Sequence, residues 1–280
     1  MGGMPEGDTV SQAAARLHEA LAGRRLVRAD LRVPRLATAD LRGRTVREVV
    51  ARGKHLLARL DGGLTLHSHL RMDGSWRVFP AGRRWSGGPA HQIRAVLDTG
   101  GLVAVGYRLQ VLDLLRTAEE HRVVGHLGPD LLGPDWDAAE ALRRLAADPA
   151  RPLGAVLLDQ RNLAGLGNVY MAELCFLAGV TPWLPVGELA DPGRLVGEAR
   201  RLLLANRDRP DRTTTTATHP RERGVRGRAA PRLYVYGRAG RSCLRCGTPV
   251  RMAATAHGEP GRERPAYWCP HCQRGPVPPG

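Results

Sequence analysis

The sequence predicts an α+β protein of several domains. An N-terminal helix leads into an antiparallel β-sandwich or barrel, a helical domain follows, and a small module built around four cysteines ends the chain. Three observations predict this order: short apolar stretches divided by glycine-rich turns, then apolar stripes at helical spacing, then two Cys-x-x-Cys pairs. We place the domains at residues 1–120, 121–235 and 236–280.

The first predicted element is a helix from Thr9 to Leu21. Its apolar residues recur at helical spacing: Val10, Ala13, Ala14, Leu17 and Leu21. Asp8 or Thr9 can cap its start, and Gly23 can end it.

Short apolar stretches between Leu26 and Val105 predict β-strands. They are Val46–Val50, His55–Leu60, Leu64–His69, Trp76–Phe79, Ile93–Leu97 and Leu102–Val105. Turns rich in glycine separate them, as at Asp61-Gly62-Gly63, Asp73-Gly74 and Gly100-Gly101. This pattern is typical of an antiparallel sandwich or barrel.

After Asp113 the apolar spacing becomes helical. Four stretches carry apolar stripes: Ala138–Ala146, Leu153–Leu158, Val169–Ala178 and Leu195–Ala205. Residues 206–232 have no apolar period, and a run of four threonines precedes arginines scattered among proline and glycine. This composition predicts a mobile loop, either a plain linker or a functional loop.

The composition favours an anionic partner. Lysine and arginine total 42 against 27 aspartates and glutamates, which gives a formal charge of +15. A GC-rich genome also inflates arginine, and one Lys, one Ile and three Asn in the chain agree with that alternative. Because no apolar run is long enough to span a bilayer and no signal peptide is visible, we expect a cytoplasmic protein that does not bind membranes.

Four of the five cysteines predict a metal site. Cys243 and Cys246 form one pair, Cys269 and Cys272 the other, and 22 residues separate the pairs. Two-residue gaps let both thiolates of a pair face one cation, as in a zinc ribbon. Four thiolates leave no open position for substrate, so we expect one structural Zn²⁺ per chain.

A glycine-containing turn predicts an anion site in the helical domain. Gly165 and Gly167 lie between two apolar helical stretches, where backbone amides at the start of the second helix can approach a phosphate. Asn168 would occupy the N-cap of that helix. A simple capping asparagine in a helical hairpin explains this stretch equally well.

Two further positions suggest chemistry near the N-terminus. Lys54 is the sole lysine of the chain, which suggests that a compact ammonium is needed there, unless it is a leftover surface residue. Pro5 follows Met4, whose removal would expose a secondary amine able to attack a sugar carbon. Glu6 is a neighbouring carboxylate that could move protons. We therefore expect Met4 to be the true start.

Together these residues resemble the formamidopyrimidine-DNA glycosylase and endonuclease VIII family. The resemblance covers almost the whole chain in the same order. Pro5-Glu6 is similar to the family's N-terminal pair, Lys54 to its strand lysine, and Asn168 to its helix-two-turn-helix asparagine. Arg264 in Arg-Pro-Ala-Tyr-Trp-Cys is similar to its zinc-finger arginine.

The resemblance implies a bifunctional DNA glycosylase and abasic-site lyase of base-excision repair. Pro5 would attack C1′ of a flipped nucleotide as a Schiff-base nucleophile, Glu6 would move protons, and Lys54 would serve the same catalytic site. The strand would break by β,δ-elimination. Lys54, together with three further residues, would hold the phosphates: His69, Asn168 and Arg264.

The resemblance also implies residues that fill the space left by the flipped base. Met72 would enter that space as a flexible apolar wedge, although a methionine packed under a hairpin is the alternative. Arg108 and Leu109 would fill the opposite side. The implied partner is damaged double-stranded DNA, bound by a monomer at the nucleoid.

Several motifs look closer to endonuclease VIII, which prefers oxidised pyrimidines, whereas the Met72 loop leans toward the purine-specific enzyme of the family. Two other classes remain open from the sequence. One is a non-enzymatic zinc-ribbon DNA-binding protein, and the other is a ribosome-associated RNA-binding protein. Neither explains Pro5, Glu6 and Lys54.

Overall fold

The computed structural model describes residues 5–216, 230–255 and 264–278. Backbone contacts divide the chain into two compact units, Met1–Leu127 and Gly128–Gly280. Residues 1–4 and 217–229 lie outside the described residues, and with them Met4 and 13 of the 27 residues of the predicted mobile loop. Among the described helices, none has the length and apolar character needed to cross a membrane.

The first unit is a β-sandwich preceded by helix α1 (Gly7–Leu21) and followed by the short helix α2 (His121–Val124). Its strands are β1 (Arg28–Leu31), β2 (Val46–Arg52), β3 (His55–Leu60), β4 (Leu64–His69), β5 (Ser75–Pro80), β6 (Ile93–Asp98), β7 (Leu102–Tyr107) and β8 (Val111–Arg116). They form two antiparallel four-stranded sheets, in the orders β1-β6-β7-β5 and β2-β3-β4-β8. Two separate sheets decide for the sandwich over the barrel.

Both sheets share one hydrophobic core with α1. Val10 and Leu17 of the helix belong to the same buried cluster as Leu56 and Leu66 of one sheet and Leu97 of the other. Alternation along the strands explains this cluster, since every second side chain faces the core. The opposite face of the β2-β3-β4-β8 sheet carries polar side chains, among them the histidines described below.

Helix α1 begins two residues earlier than the sequence predicted. Glu6 occupies the N-cap position with extended backbone, and its side chain makes no capping hydrogen bond. Asp8 and Thr9, the expected caps, lie inside the first turn. The helix ends at Leu21, and Gly23 takes a positive φ of 73° just beyond it.

Two strands did not stand out in the sequence. β1 contains Arg28 and Asp30, and its mixed polar pattern hides it. The expectation that helical structure follows Asp113 was wrong, because β8 continues through that residue to Arg116 and pairs with β4 along its full length. Partners across a sheet, which local spacing does not reveal, decide both strands.

The second unit contains helices α3 (Ala138–Leu145), α4 (Leu153–Leu158), α5 (Asn168–Ala178) and α6 (Pro192–Asn206). A buried cluster joins all four. α5 is buried on almost every face, because nine of its eleven residues are inaccessible. Such a helix forms the centre of a small domain, which is why its pattern has no polar side.

The C-terminal cysteines lie around a hairpin of β9 (Arg251–Thr255) and β10 (Arg264–Trp268). Their module shares a hydrophobic cluster with α5: Phe176 of the helix stacks on Tyr234 with ring centroids 4.9 Å apart. The fold therefore confirms a β-sandwich with an N-terminal helix, a helical domain and a four-cysteine module. The division at 120 and 235 stays a prediction.

Candidate functional site

Pro5 and Glu6 stand at the amino end of α1. Pro5 is half-buried, and Glu6 is 0% exposed. The end of a 15-residue helix carries partial positive charge from its unpaired N–H groups, which favours a carboxylate there. The start of the helix thus holds a buried acid next to the residue whose amine is of chemical interest.

Lys54 lies in a two-residue turn between β2 and β3. Arg52 pairs with His55, so that only Gly53 and Lys54 remain in the turn. Gly53 has a φ of 55°, a left-handed conformation that turns of this kind demand. The turn fixes Lys54 at one end of the sheet.

His69 lies on the strand next to that turn, directly opposite His55 in the register of β3 and β4. Its Nδ1 accepts the backbone N–H of Arg71 at 2.9 Å. In a neutral imidazole the proton must then be on Nε2, which leaves that nitrogen as a donor. Burial, which is the largest cause, and the nearby charges of Arg71 and Lys54 together lower the pKa of His69 to about 4.

We expect His69 to be a neutral donor at physiological pH. In an NMR titration of the histidine side chains, His69 should protonate near pH 4, and Arg71→Ala should move this pKa part of the way back toward 6.5. Because the unfolded chain accepts this proton at higher pH, the contribution of His69 to stability should fall as the pH falls from about 6.5 to about 4. A titration above pH 6 in the folded protein would contradict this assignment.

Behind His69 is a chain of polar groups, centred on the buried His67, that the sequence did not reveal. His55 Nδ1 and His67 Nε2 lie 2.9 Å apart, and His67 Nδ1 lies 3.6 Å from Asp113. Arg35 pairs with the other oxygen of Asp113 at 2.8 Å. The alternation of His67 and His69 on one strand face was the signal that could have revealed it. This chain fixes the imidazoles beside the Lys54 turn.

Met72 lies at the tip of a tight turn after β4 and is 62% exposed. An exposed large apolar side chain in such a turn is available to a partner. Leu109, in contrast, is 2% exposed and belongs to the sandwich core. This burial disagrees with the expectation that Leu109 fills the space left by the flipped base. Arg108 beside it has its guanidinium directed to the Met72 turn, with Nε donating to the Asp73 carbonyl at 2.9 Å.

Asn168 and Arg264 both belong to the second unit. Gly167, not Asn168, occupies the N-cap of α5, and Asn168 is its first residue. The Asn168 side chain is fully buried, and its Nδ2 donates to the carbonyl of Pro265 at 2.7 Å. Because Pro265 directly follows the exposed residue Arg264, this hydrogen bond connects the start of α5 to the segment that carries Arg264.

Glu173 is a buried carboxylate that the sequence analysis also missed. It accepts the backbone N–H groups of Tyr234, Val235 and Tyr236 at 2.8–2.9 Å, together with the hydroxyl of Thr214. Burial raises its pKa, and these four hydrogen bonds oppose that rise. It is the sole charged residue of α5, and a lone acid in an apolar helix was the available signal.

The four predicted metal ligands lie together. All four Sγ atoms of Cys243, Cys246, Cys269 and Cys272 are within 4.8 Å of one another. Two of the distances, 3.9 and 3.5 Å, approach the edge of a tetrahedron with Zn–S bonds of about 2.3 Å. In the part of the chain that the structure describes, no other group of three such side chains has this spacing. The cluster can therefore hold one metal ion.

One class of DNA glycosylases that also cleave abasic sites has this architecture. It combines a β-sandwich preceded by a helix, a helical domain with a glycine-containing turn, and a hairpin with four cysteines. Two family models match this chain: the formamidopyrimidine-DNA glycosylase N-terminal domain at residues 4–111 and the H2TH domain at residues 127–200. The chain belongs to the formamidopyrimidine-DNA glycosylase family.

Similar proteins carry endonuclease 8, abasic-site lyase and Fpg names. A probable endonuclease 8 2 of Streptomyces coelicolor is 68% identical over 277 residues, covering 98% of this chain and 96% of the relative. The DNA-(apurinic or apyrimidinic site) lyase Nei2 of Mycolicibacterium smegmatis is 49% identical, covering 96% and 99%. A solved structure of Lactococcus lactis Fpg in complex with DNA that contains N7-benzyl-Fapy-dG shares the fold at a TM-score of 0.77 and 22% identity, covering 97% of this chain and 100% of that chain.

Proposed function

We propose that this protein is a bifunctional glycosylase and abasic-site lyase that removes oxidised bases, with pyrimidines favoured, from double-stranded DNA. The amine of Pro5 is the nucleophile. It forms a bond to C1′ as the damaged base leaves, and the resulting iminium acidifies the C2′ protons, so that the strand breaks by β,δ-elimination. The observation that carries this proposal is a buried carboxylate, Glu6, directly beside Pro5 at the start of α1.

Glu6 has the place and the chemistry of a proton carrier. It is buried, it adjoins the attacking residue in sequence, and it stands at the amino end of α1. Protonating the ring oxygen of the sugar while Pro5 attacks would open the ring, and the same carboxyl would then return as a base.

Three residues are proposed to contact the DNA phosphates, and a fourth, Asn168, is proposed to support one of them. Lys54 at the sheet turn offers a point charge, and His69 offers the neutral Nε2–H donor. Arg264 offers an exposed guanidinium, while Asn168 ties the Arg264 segment to the start of α5. Phosphate contacts fix register and orientation without reading sequence, which suits an enzyme that must recognise damage anywhere.

Met72 is proposed to enter the space that the flipped base leaves, where an apolar wedge offsets part of the lost stacking. The proposed preference for pyrimidines rests on the motifs that resemble endonuclease VIII, and a 68% identical relative carries an endonuclease 8 name. The four cysteines are proposed to hold one structural Zn²⁺ that stabilises the hairpin bearing Arg264. We propose that the protein acts as a monomer.

The decisive experiment is borohydride trapping on a duplex with one abasic site. Protein that begins at Pro5 is compared with protein that retains Met1–Met4. We expect a covalent adduct with the free Pro5 end alone, because an amide nitrogen has no nucleophilic lone pair.

An adduct with both forms would show that another amine is the nucleophile, and Lys54 is the sole lysine of the chain. If neither form gives an adduct while both bind the duplex, the protein is a DNA-binding protein without lyase chemistry. Glycosylase assays with an oxidised pyrimidine and an oxidised purine, each in the same duplex, then test the base preference.

A further inference from the structure

Two turns with unusual backbone lie at one edge of the β-sandwich. Within the described residues, Arg71 and Arg108 are the non-glycine residues with positive φ, at 54° and 50°. Each is next to a residue of interest, Met72 in one turn and Leu109 in the other. Left-handed backbone without glycine persists where the surroundings hold it in place, and such strain often marks functional segments.

A backbone hydrogen bond closes the turn of residues 70–74, which we call the Met72 turn. Gly74 N donates to the carbonyl of Leu70 at 2.8 Å, and Leu70 is anchored in the core at 3% exposure. A Cβ on Gly74 would lie 2.5 Å from the Leu70 oxygen, so glycine is required for this closure. The turn therefore presents Met72 in one defined shape before any partner binds.

Arg108 braces this turn from the side. Its Nε donates to the Asp73 carbonyl at 2.9 Å, and its Nη1 donates to Oε1 of Gln92 at 2.7 Å. The backbone N–H of Arg108 also donates to the carbonyl of Gln92 at 2.8 Å. A planar guanidinium can satisfy two acceptors at fixed angles, which a lysine ammonium on a flexible stem does not do. Arg108 thus links the Met72 turn to Gln92.

We propose that Arg108 is a positioning residue for Met72. It holds the Met72 turn in its insertion-ready shape and acts on the DNA through Met72. Ordering this turn before binding removes an entropy cost that the complex would otherwise meet. The inference rests on the proposed function, in which Met72 enters the duplex, and it assigns Gln92 as the residue that orients Arg108.

A double-mutant cycle tests the brace. Binding is measured to a duplex with one tetrahydrofuran abasic analogue, and 2-aminopurine beside it reports unstacking by its fluorescence. Met72→Ala and Arg108→Lys should each weaken binding about three- to tenfold, the equivalent of one side chain that must be ordered on binding, and reduce the fluorescence change. The double variant should equal Met72→Ala alone, because the brace has nothing left to position.

Two further variants separate the brace from charge. Gln92→Leu removes the second acceptor without touching any charge, and it should reproduce part of the Arg108→Lys effect. Arg42→Ala removes an exposed arginine paired with Asp40, and it should leave the fluorescence change intact.

The proposal is overturned if Arg108→Lys binds like the wild type, since the guanidinium then has no positioning role. It is also overturned if the effect of Arg108→Lys adds fully to that of Met72→Ala, since additivity indicates that Arg108 acts on the DNA independently of Met72. An unchanged Gln92→Leu variant also overturns the role of Gln92. Borohydride trapping on an abasic site distinguishes failure of the proposed function from failure of the Arg108 proposal. If the wild type gives no trapped adduct, the proposed function is wrong. If the wild type is trapped but the effects of the two substitutions add, only the positioning role of Arg108 is wrong.

Discussion

Glu6→Gln is expected to abolish base release while lesion binding stays within about threefold of the wild type. A glutamine keeps the size and the polarity of the side chain but cannot carry the proton, and removing a general acid–base group costs about 10²–10⁴ in rate. Single-turnover release of an oxidised pyrimidine measures the first quantity, and gel-shift affinity for a tetrahydrofuran duplex measures the second.

Trapping on a preformed abasic site should survive better than base release in this variant. The abasic sugar opens to an aldehyde without enzyme, so Pro5 needs no proton from Glu6 to reach it. Glu19→Gln is the matched control, because Glu19 lies exposed on the same helix. If binding falls in step with activity in the Glu6 variant, Glu6 acts in folding or DNA contact and not as a proton carrier.

Glu173→Ala is expected to destabilise the second unit severely. Four buried donors would lose their acceptor, and each one left unpaired costs about 1–3 kcal/mol. The free energy of unfolding should therefore fall by more than about 3 kcal/mol. In thermal unfolding this corresponds to about 6–12 °C for a unit of this size. The free energy of unfolding of Glu173→Gln should lie between those of the wild type and Glu173→Ala. The amide oxygen still accepts hydrogen bonds, but the amide nitrogen is a donor and would face the other donors.

Glu198→Gln is the control for this stability experiment. Glu198 lies on α6 and pairs with Arg201 at the surface at 2.6 Å. A surface ion pair is worth about 0–1 kcal/mol, so the control should shift the unfolding temperature little. If the Glu173 variants unfold like this control, the hydrogen bonds to the segment from Tyr234 to Tyr236 do not hold the cysteine module on α5.

Some residues of the candidate site could be found from the sequence, whereas the roles of others depend on tertiary contacts. Pro5, Lys54 and the four cysteines are visible in the sequence because each is unusual in type or spacing. The roles of Asn168 and Arg108 were not visible: Asn168 is buried against the Pro265 carbonyl, and the guanidinium of Arg108 spans two other turns. Hydrogen bonds between distant segments have no local pattern.

Elements whose periodicity or spacing is local could be predicted without any tertiary contact: the strands β3 and β4 to the residue, helix α4, the sandwich-then-helices order, and the paired cysteines. Contacts between distant segments decided β8, the polar chain from Asp113 through His67 to His55, the anchoring of Glu173, and the core position of Leu109. The physical reason is the same in each case. Burial and pairing across a sheet depend on partners far away in the chain, whereas helix and strand periods depend on neighbours.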